Sequence, residues 1–365
     1  MGLLYFWRDK LMEHMEFLEQ LNTYSIKFLR LQFVDVAGNL KNVAVTSENV
    51  GEVLKKEMTF IHNGEKVLFE PDLESLTVLP WRPREGAVGR IYGNLLLPND
   101  EQKIICPRKF FTRFNLPLEV AVEFSFYLQE KVQEKTPVDH AGLWDVSPLD
   151  LGENLRRDVV LTLEKMGIGV KYSGHGAHPG EQVLGLKPVK GNKLPDILTT
   201  AKFVVRTIAE RHGLNASFFP YHHKKPGLSV KYTFLGEKEE TEKLYQKIVT
   251  LLPEAEIIFR PLINDYYGYP QKPENFIFYD GDHIVLTVSP KANPYLVLSL
   301  LAIETNVNAQ NPVLAADFGQ ALRRFSESTK LREFFGELFW RYLKIKQKSY
   351  FDFWSRVHEE GDNGD

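Results

Sequence analysis

The sequence predicts an α+β fold, with a small β-rich N-terminal domain leading into a larger mixed one. Three observations carry this. Apolar and polar residues alternate through several short runs up to about residue 105. The run "VEFSFYL" (122–128) sets Val122, Phe124, Phe126 and Leu128 against Glu123, Ser125 and Tyr127, a strand with one buried and one wet or functional face. Helical patterns follow strands that read as antiparallel, without strict β-α-β alternation, and the chain is mainly helical from Asn293 onward.

Taken in order, Leu, Phe and Met recur at helical spacing over residues 3–21, which predicts an opening helix. "KFLRLQFVDVAGNLKNVAVT" (27–46) alternates on both sides of Ala37-Gly38-Asn39, a hairpin signal. "KVLFEPD" and "GRIYGNLLLP" read as further strands. The pattern changes at Cys106-Pro107, so the domains are placed at 1–105 and 106–358, with a disordered acidic tail at 359–365. In "DLGENLRRDVVLTLEKMG", Asp150 is expected to cap a helix with Glu153 as its capping-box partner. Leu151, Leu155 and Val159 form its stripe, and Gly167 ends it. "IGVKY" (168–172) returns to strand, a helix runs from about Asp196 to His212 and closes at Gly213, and "LSVKYTFL" (228–235) and "DHIVLTVS" (282–289) are strands.

Composition narrows the function classes. The 365 residues suit about two domains, and 43% hydrophobic with 25% charged residues is ordinary for a globular protein. A net charge of −3 gives no general pull toward nucleic acid or anionic membrane. A single cysteine, Cys106, excludes an intrachain disulfide framework and a Cys-rich zinc site, and suits a reduced, cytoplasmic setting. The start mixes charge with apolar residues, unlike a signal peptide, and no run reaches membrane-spanning length.

Three separated stretches carry a family resemblance. "WDVSPLDLGENLRRDVVLTLEKMG" resembles the glutamine synthetase stretch with Pro-Leu-Asp, then Arg-Arg-Asp, then a helix ending Met-Gly. "IAERHGLNASFFP" resembles the following Arg-His-Gly-Leu-x-Ala-Thr-Phe-x-Pro, and "ANPYLVLSLLA" the Ala-Asn-Pro-Tyr-Leu helix. The resemblance implies a glutamine synthetase-like architecture: a β-grasp-like N-terminal domain, then a curved antiparallel sheet backed by helices. It also implies ATP-dependent joining of glutamate to ammonia through a γ-glutamyl phosphate. That chemistry wants divalent metals on hard oxygen ligands and arginines on the transferring phosphoryl group.

Set against those motifs, this chain departs at the ligands. The family's Glu-x-Glu-Phe reads Ala121-Val122-Glu123-Phe124. His-Glu-x-Ala-Pro-Gly-Gln-His-Glu reads from His175 to Val183, with Gly176 and Val183 where glutamates are implied. The histidine of Gly-Ser-Gly-x-His has become Lys231, which cannot coordinate while protonated. Gly268 stands at an arginine position of the segment 264–268, and no acid stands in register with the flap glutamate near Pro270-Gln271. Asp282, Ile284 and Leu286 align with Arg-x-Glu-x-Arg. Of the implied metal-binding acids that can be placed, Glu123 survives. Val183, Ile284 and Leu286 are expected to line or border the old cavity.

Each feature has a plainer reading beside the functional one. His175, His178 and Glu181 could form a new metal site with Glu123, but strand positions i and i+3 point to opposite faces unless Pro179-Gly180 turns them. Lys231 could form an ion pair with Glu123. "YHHKKPG" (221–227) could bind an anion or be a solvated basic turn. The aromatic C-terminus, from Phe334 to Trp354, reads as core and subunit interface.

The leading functional reading is a degenerate, pseudoenzyme-like member of the glutamine synthetase family with a structural or regulatory role and no cofactor. One alternative is an active ATP-dependent carboxylate–amine ligase using Mg and ATP, with Glu123, His175, Glu181, Gln182 and Lys231 in a rebuilt site. The other is a nucleotide or amino-acid sensor without turnover. The resemblance implies self-association, as a hexameric ring or stacked rings, with a smaller oligomer or a monomer as the alternative, and an active glutamine synthetase as a further partner. The family's interface loop is replaced by "FIHNGEKVLFEPD".

Overall fold

The computed structural model describes residues 2–82, 85–131, 136–219, 228–266, 272–305 and 312–362, with backbone only for 2–10, 275 and 357–362. Two compact units divide the chain, Met1–Phe110 and Phe111–Asp365.

The first unit opens on helix α1 (Gly2–Thr23), as its helical spacing predicts. Strands β1 (Ile26–Val34) and β2 (Leu40–Thr46) form the expected antiparallel hairpin, with Gly38 at φ +89° in the turn. After α2 (Val50–Leu54) come β3 (Thr59–His62), β4 (Glu65–Val78) and β5 (Ala87–Leu96). The sheet order is β2-β1-β5-β4-β3, with β1 and β5 parallel. Leu29, Leu31, Phe69, Ile91 and Leu95 bury against Phe17 and Leu21 of α1 and Val53 of α2. Helix α3 (Pro107–Phe111) holds the boundary between the units.

The second unit is built on β6 (Glu119–Glu130), the strand of the "VEFSFYL" run. Helix α4 (Glu153–Lys165), β7 (Val170–His175), β8 (Glu181–Lys190), α5 (Leu194–Arg211), β9 (Leu214–Ser217) and β10 (Val230–Leu235) follow. Then come α6 (Lys238–Phe259), β11 (Ile277–Asp280), β12 (His283–Val288) and helices α7 (Pro294–Ser299), α8 (Phe318–Glu327), α9 (Thr329–Phe335) and α10 (Glu337–Asp362). The seven-stranded sheet runs β11-β12-β10-β6-β8-β7, with β9 also on β6, and every pairing is antiparallel.

Three local expectations need correction. Helix α4 starts at Glu153 with Gly152, not Asp150, as its cap residue; the Asp150 side chain accepts from the Gly152 N–H and from Arg156, a stronger, charged donor. Leu151 is therefore outside the helix and exposed, while Leu155 and Val159 keep the buried stripe. Helix α6, 22 residues long, fills a stretch to which the sequence reading assigns no element; Leu244, Ile248, Leu252, Ala255 and Phe259 give it a buried face, and Pro253 sits inside it. The last helix runs on to Asp362, through most of the stretch where a disordered tail is expected. Gly167 and Gly213 close α4 and α5 as expected, at φ +76° and +74°.

Candidate functional site

Strand register decides which side chains share a face, because successive residues alternate. On β6, Glu123 lies opposite Lys231 of β10 and Gly185 of β8; Lys231 lies opposite Thr287 of β12, and Gly185 opposite Tyr172 of β7. Ala121 lies opposite Thr233, and Ser125 opposite Val183, on the same face. The other face carries Val122, Phe124, Phe126, Leu186, Tyr232, Phe234, Ile284 and Leu286, all buried.

The first face is polar and half-open. Lys231 Nζ lies 2.6 Å from Glu123 Oε1, and the Tyr172 hydroxyl donates to Glu123 Oε2. Tyr172 reaches across Gly185, where a Cβ would stand 2.4 Å from the ring. Burial, then the hydrogen bond and charge of Glu123, push the Tyr172 phenol well above its ordinary value. Two more glycines, Gly174 on β7 and Gly176 just after it, are covered in the same way. A Cβ on Gly174 would meet the Trp144 ring at 2.3 Å, and one on Gly176 would meet Glu181 Cγ at 2.4 Å. Glu181 Oε2 accepts from the His178 backbone N–H (3.1 Å) and lies 2.8 Å from its Nδ1.

The opposite face holds a buried polar network where β7 and β8 meet α4. His175 and Gln182 are fully buried and face each other across the strands. His175 Nε2 lies 3.0 Å from Asp139 Oδ1 and its Nδ1 lies 2.8 Å from the Gly176 carbonyl. Asp139 also accepts from the Gly180 N–H (2.9 Å) and the Leu151 N–H (3.2 Å). Arg156 donates to Asp150 Oδ1 (3.0 Å) and to Gln182 Oε1. Burial pushes the Asp150 carboxyl up, but the hydrogen bond and charge of Arg156 and the Gly152 N–H outweigh it and hold the group below its ordinary value. A cavity of about 540 Å³ opens beside this network, with Trp144, Val160 and Leu161 among its apolar lining and Glu153 and Arg157 among its polar groups.

Asp139, Asp150 and His175 bring three possible ligand atoms within 4.8 Å of one another. Their chemistry does not suit a cation as they stand. The Asp150 oxygens face the Arg156 guanidinium and the Gly152 N–H, and both His175 ring nitrogens face oxygens. An ion there would have to displace Arg156 and break the contacts that His175 makes to Asp139 and the Gly176 carbonyl.

The structure separates residues that the sequence reading groups together. Glu123, His175, His178 and Glu181 are not one metal site: Glu123 sits with Lys231, His178 with Glu181, and His175 on the other face with Asp139. The Glu123–Lys231 ion pair is present. Ala121 and Val183 lie on the Glu123 face, whereas Ile284 and Leu286 point into the buried core, so they do not border a cavity on that face. A one-residue step reverses the face of a strand, and His283, Val285 and Thr287 are the β12 residues that share the face with Lys231. Gly268, Pro270-Gln271 and "YHHKKPG" lie outside the described residues. Asp139, Tyr172, Trp144 and the central place of Arg156 in the network emerge only from the structure. Arg156 had a signal, an arginine six residues after Asp150; the reach of Tyr172 over Gly185 had none.

Residues 110–230 match the model of the glutamine synthetase catalytic domain. A glutamine synthetase of Clostridium saccharobutylicum is 30% identical over 333 residues, covering 76% of this chain and 75% of that protein. One of Staphylococcus aureus is 30% identical over 338 residues, with 76% and 75% covered. This chain belongs to the glutamine synthetase family. The solved structure of GmaS without ligand shares the family fold, with a TM-score of 0.79 at 18% identity, over 93% of this chain and 96% of that one; a GmaS–ADP complex gives 0.78 at 17%. The glutamine synthetase resemblance drawn from the motifs, and the α+β architecture with it, are thereby confirmed. Among the described residues no helix is long and apolar enough to cross a membrane.

Proposed function

We propose that this chain is a glutamine synthetase family member in which the metal- and ATP-dependent ligase chemistry has been dismantled, and that it serves as a structural or regulatory subunit. The observation that carries this is the Glu123–Lys231 contact at 2.6 Å, closed on the other oxygen by Tyr172. An internal ammonium and a phenol hold the carboxylate that a divalent ion would need. Each such ion takes six or more oxygens. Ala121, Gly176 and Val183 supply none from their side chains, and Glu181 is engaged by His178. This donor set does not fit two or three divalent ions, so no step is routed through them.

The two compact units correspond on this reading to a β-grasp-like N-terminal domain and a degenerate catalytic-type domain. Self-association as a ring, alone or with an active relative, is the function left to such a scaffold, in a cytoplasmic setting. The test is phosphate release from MgATP with glutamate and ammonium or an amine. No release above buffer is expected. Turnover abolished by Glu123→Gln would overturn the reading. Light scattering at micromolar concentration tests the assembly, and a monomer mass removes the scaffold role.

A second reading, a ligase with a rebuilt site, is favoured by one observation. The Glu181 carboxylate arm fills the space above Gly176, where the family motif places a glutamate. If that reading holds, Glu181→Gln and Glu123→Gln both abolish a measurable MgATP-dependent reaction.

A further inference from the structure

Lys202 and Arg206 lie one turn apart on α5, and Lys291 lies in the turn after β12. All three gather around Phe218 and Phe219, which follow β9. Lys202 Nζ stands 5.9 Å and the Arg206 guanidinium 4.9 Å from the Phe218 ring centre, and Lys291 Nζ stands 4.0 Å from that of Phe219. Lys202 Nζ also donates to the Pro290 carbonyl at 2.8 Å, which ties it to the Lys291 turn. Among the described residues no carboxylate pairs with any of the three. Burial pulls the Lys202 ammonium down to about 7, with repulsion from Arg206 and Lys291 added; burial pulls Lys291 to about 8, with Arg206 added. Three cations are thus held together at a cost, with two aromatic rings and the Pro290 carbonyl but no carboxylate beside them among the described residues.

We propose that Lys202, Arg206 and Lys291 form a binding site for a multivalent oxyanion of the phosphate class, free or as the phosphate group of a small molecule. Charge decides the class. A monocarboxylate would leave most of the positive charge uncompensated, whereas a phosphate brings nearly two negative charges and oxygens enough for two ammonium groups and a guanidinium fork. Arg206 is exposed as a residue and Phe219 is 53% exposed, so the group has an open side. Phe218 packs at a tilt beside Phe124 and Phe126, at 6.3 and 5.8 Å, on the face of the sheet opposite Glu123 and Lys231. The site is therefore separate from the one discussed under the proposed function and does not rest on it.

The test titrates the whole protein with inorganic phosphate, tripolyphosphate and glycerol 3-phosphate, against chloride and acetate at matched ionic strength. Calorimetry and thermal unfolding are the readouts. Phosphate-class anions are expected to bind and raise the Tm beyond the chloride control. Lys291→Asp supplies an internal counter-ion, so it is expected to raise the Tm in anion-free buffer and to weaken anion binding by about tenfold or more. Arg206→Gln, at an exposed position, is expected to weaken binding to a similar degree without raising the Tm. Tighter binding of phosphate and tripolyphosphate assigns a free anion, and tighter binding of glycerol 3-phosphate an organic phosphate. A wild-type response equal to that of chloride, or unchanged affinity in both variants, overturns the proposal.

Discussion

The two faces of the seven-stranded sheet handle charge in opposite ways. On the buried face, Arg156 and Asp150 have side chains 7% and 2% exposed, locked among Gln182, His175 and Asp139. On the other, Lys231 and Glu123 are 42% and 28% exposed, and the Tyr172 hydroxyl reaches Glu123 from across Gly185. The same strands build both, since Gly174 and His175 are neighbours on β7 with opposite directions. The contrast teaches where change is cheap. A charge exposed to water can lose its partner at small cost. A charge in the dry network cannot.

The sharpest way to break this comparison is Arg156→Met. It strands Asp150 in a dry site, and a loss of about 3–5 kcal/mol is expected in urea unfolding. Acid adds a second readout. Asp150 is held below its ordinary value of 3.8, so its contribution is present above that pH and is lost as pH falls through the lower folded value. Arg156→Met should erase that low-pH loss, and an unchanged acid profile would show that Arg156 is not what holds the carboxylate.

Gly185→Ala comes next. Its new Cβ meets the Tyr172 ring, and a cost of about 1–3 kcal/mol is expected. With the ring displaced from Glu123, the Tyr172 phenol should titrate at lower pH, followed by ultraviolet absorbance with Tyr172→Phe as the reference. Lys231→Met, on the half-open face, should cost no more than about 1 kcal/mol. A cost equal to that of Arg156→Met would erase the distinction between the faces. The smallest effect is expected for Gly176→Glu on activity, which should stay at background. The new side chain has to push Glu181 aside, and one restored acid does not rebuild a ligand set that works as a unit. A substantial rate from that variant would move the comparison toward the rebuilt ligase.

Much of the frame was legible in the chain itself. β6 could be read from its alternation because its partners bury one side of it along its whole length. The ends of α4 and α5 could be read because Gly167 and Gly213 supply a backbone conformation that other residues resist. Helix α6 was not, although its apolar residues recur at helical spacing; Pro253 interrupts a pattern that tertiary burial nonetheless holds together.

At the site, residue identities were legible and their directions were not. The sequence by itself determined that Ala121, Gly176 and Val183 carry no metal ligand and that a lysine stands at 231. Only the tertiary structure decided that Lys231 meets Glu123, that Tyr172 crosses Gly185 to the same carboxylate, that Asp150 serves Arg156 and not a helix end, and that Ile284 and Leu286 face the core. The reason is geometric: a strand turns its side chains over at every residue, so a register error of one position leaves the alignment plausible and puts the side chain on the wrong side of the sheet. Pairings between residues 49 or 108 positions apart depend on how the strands come together, and no local pattern encodes that.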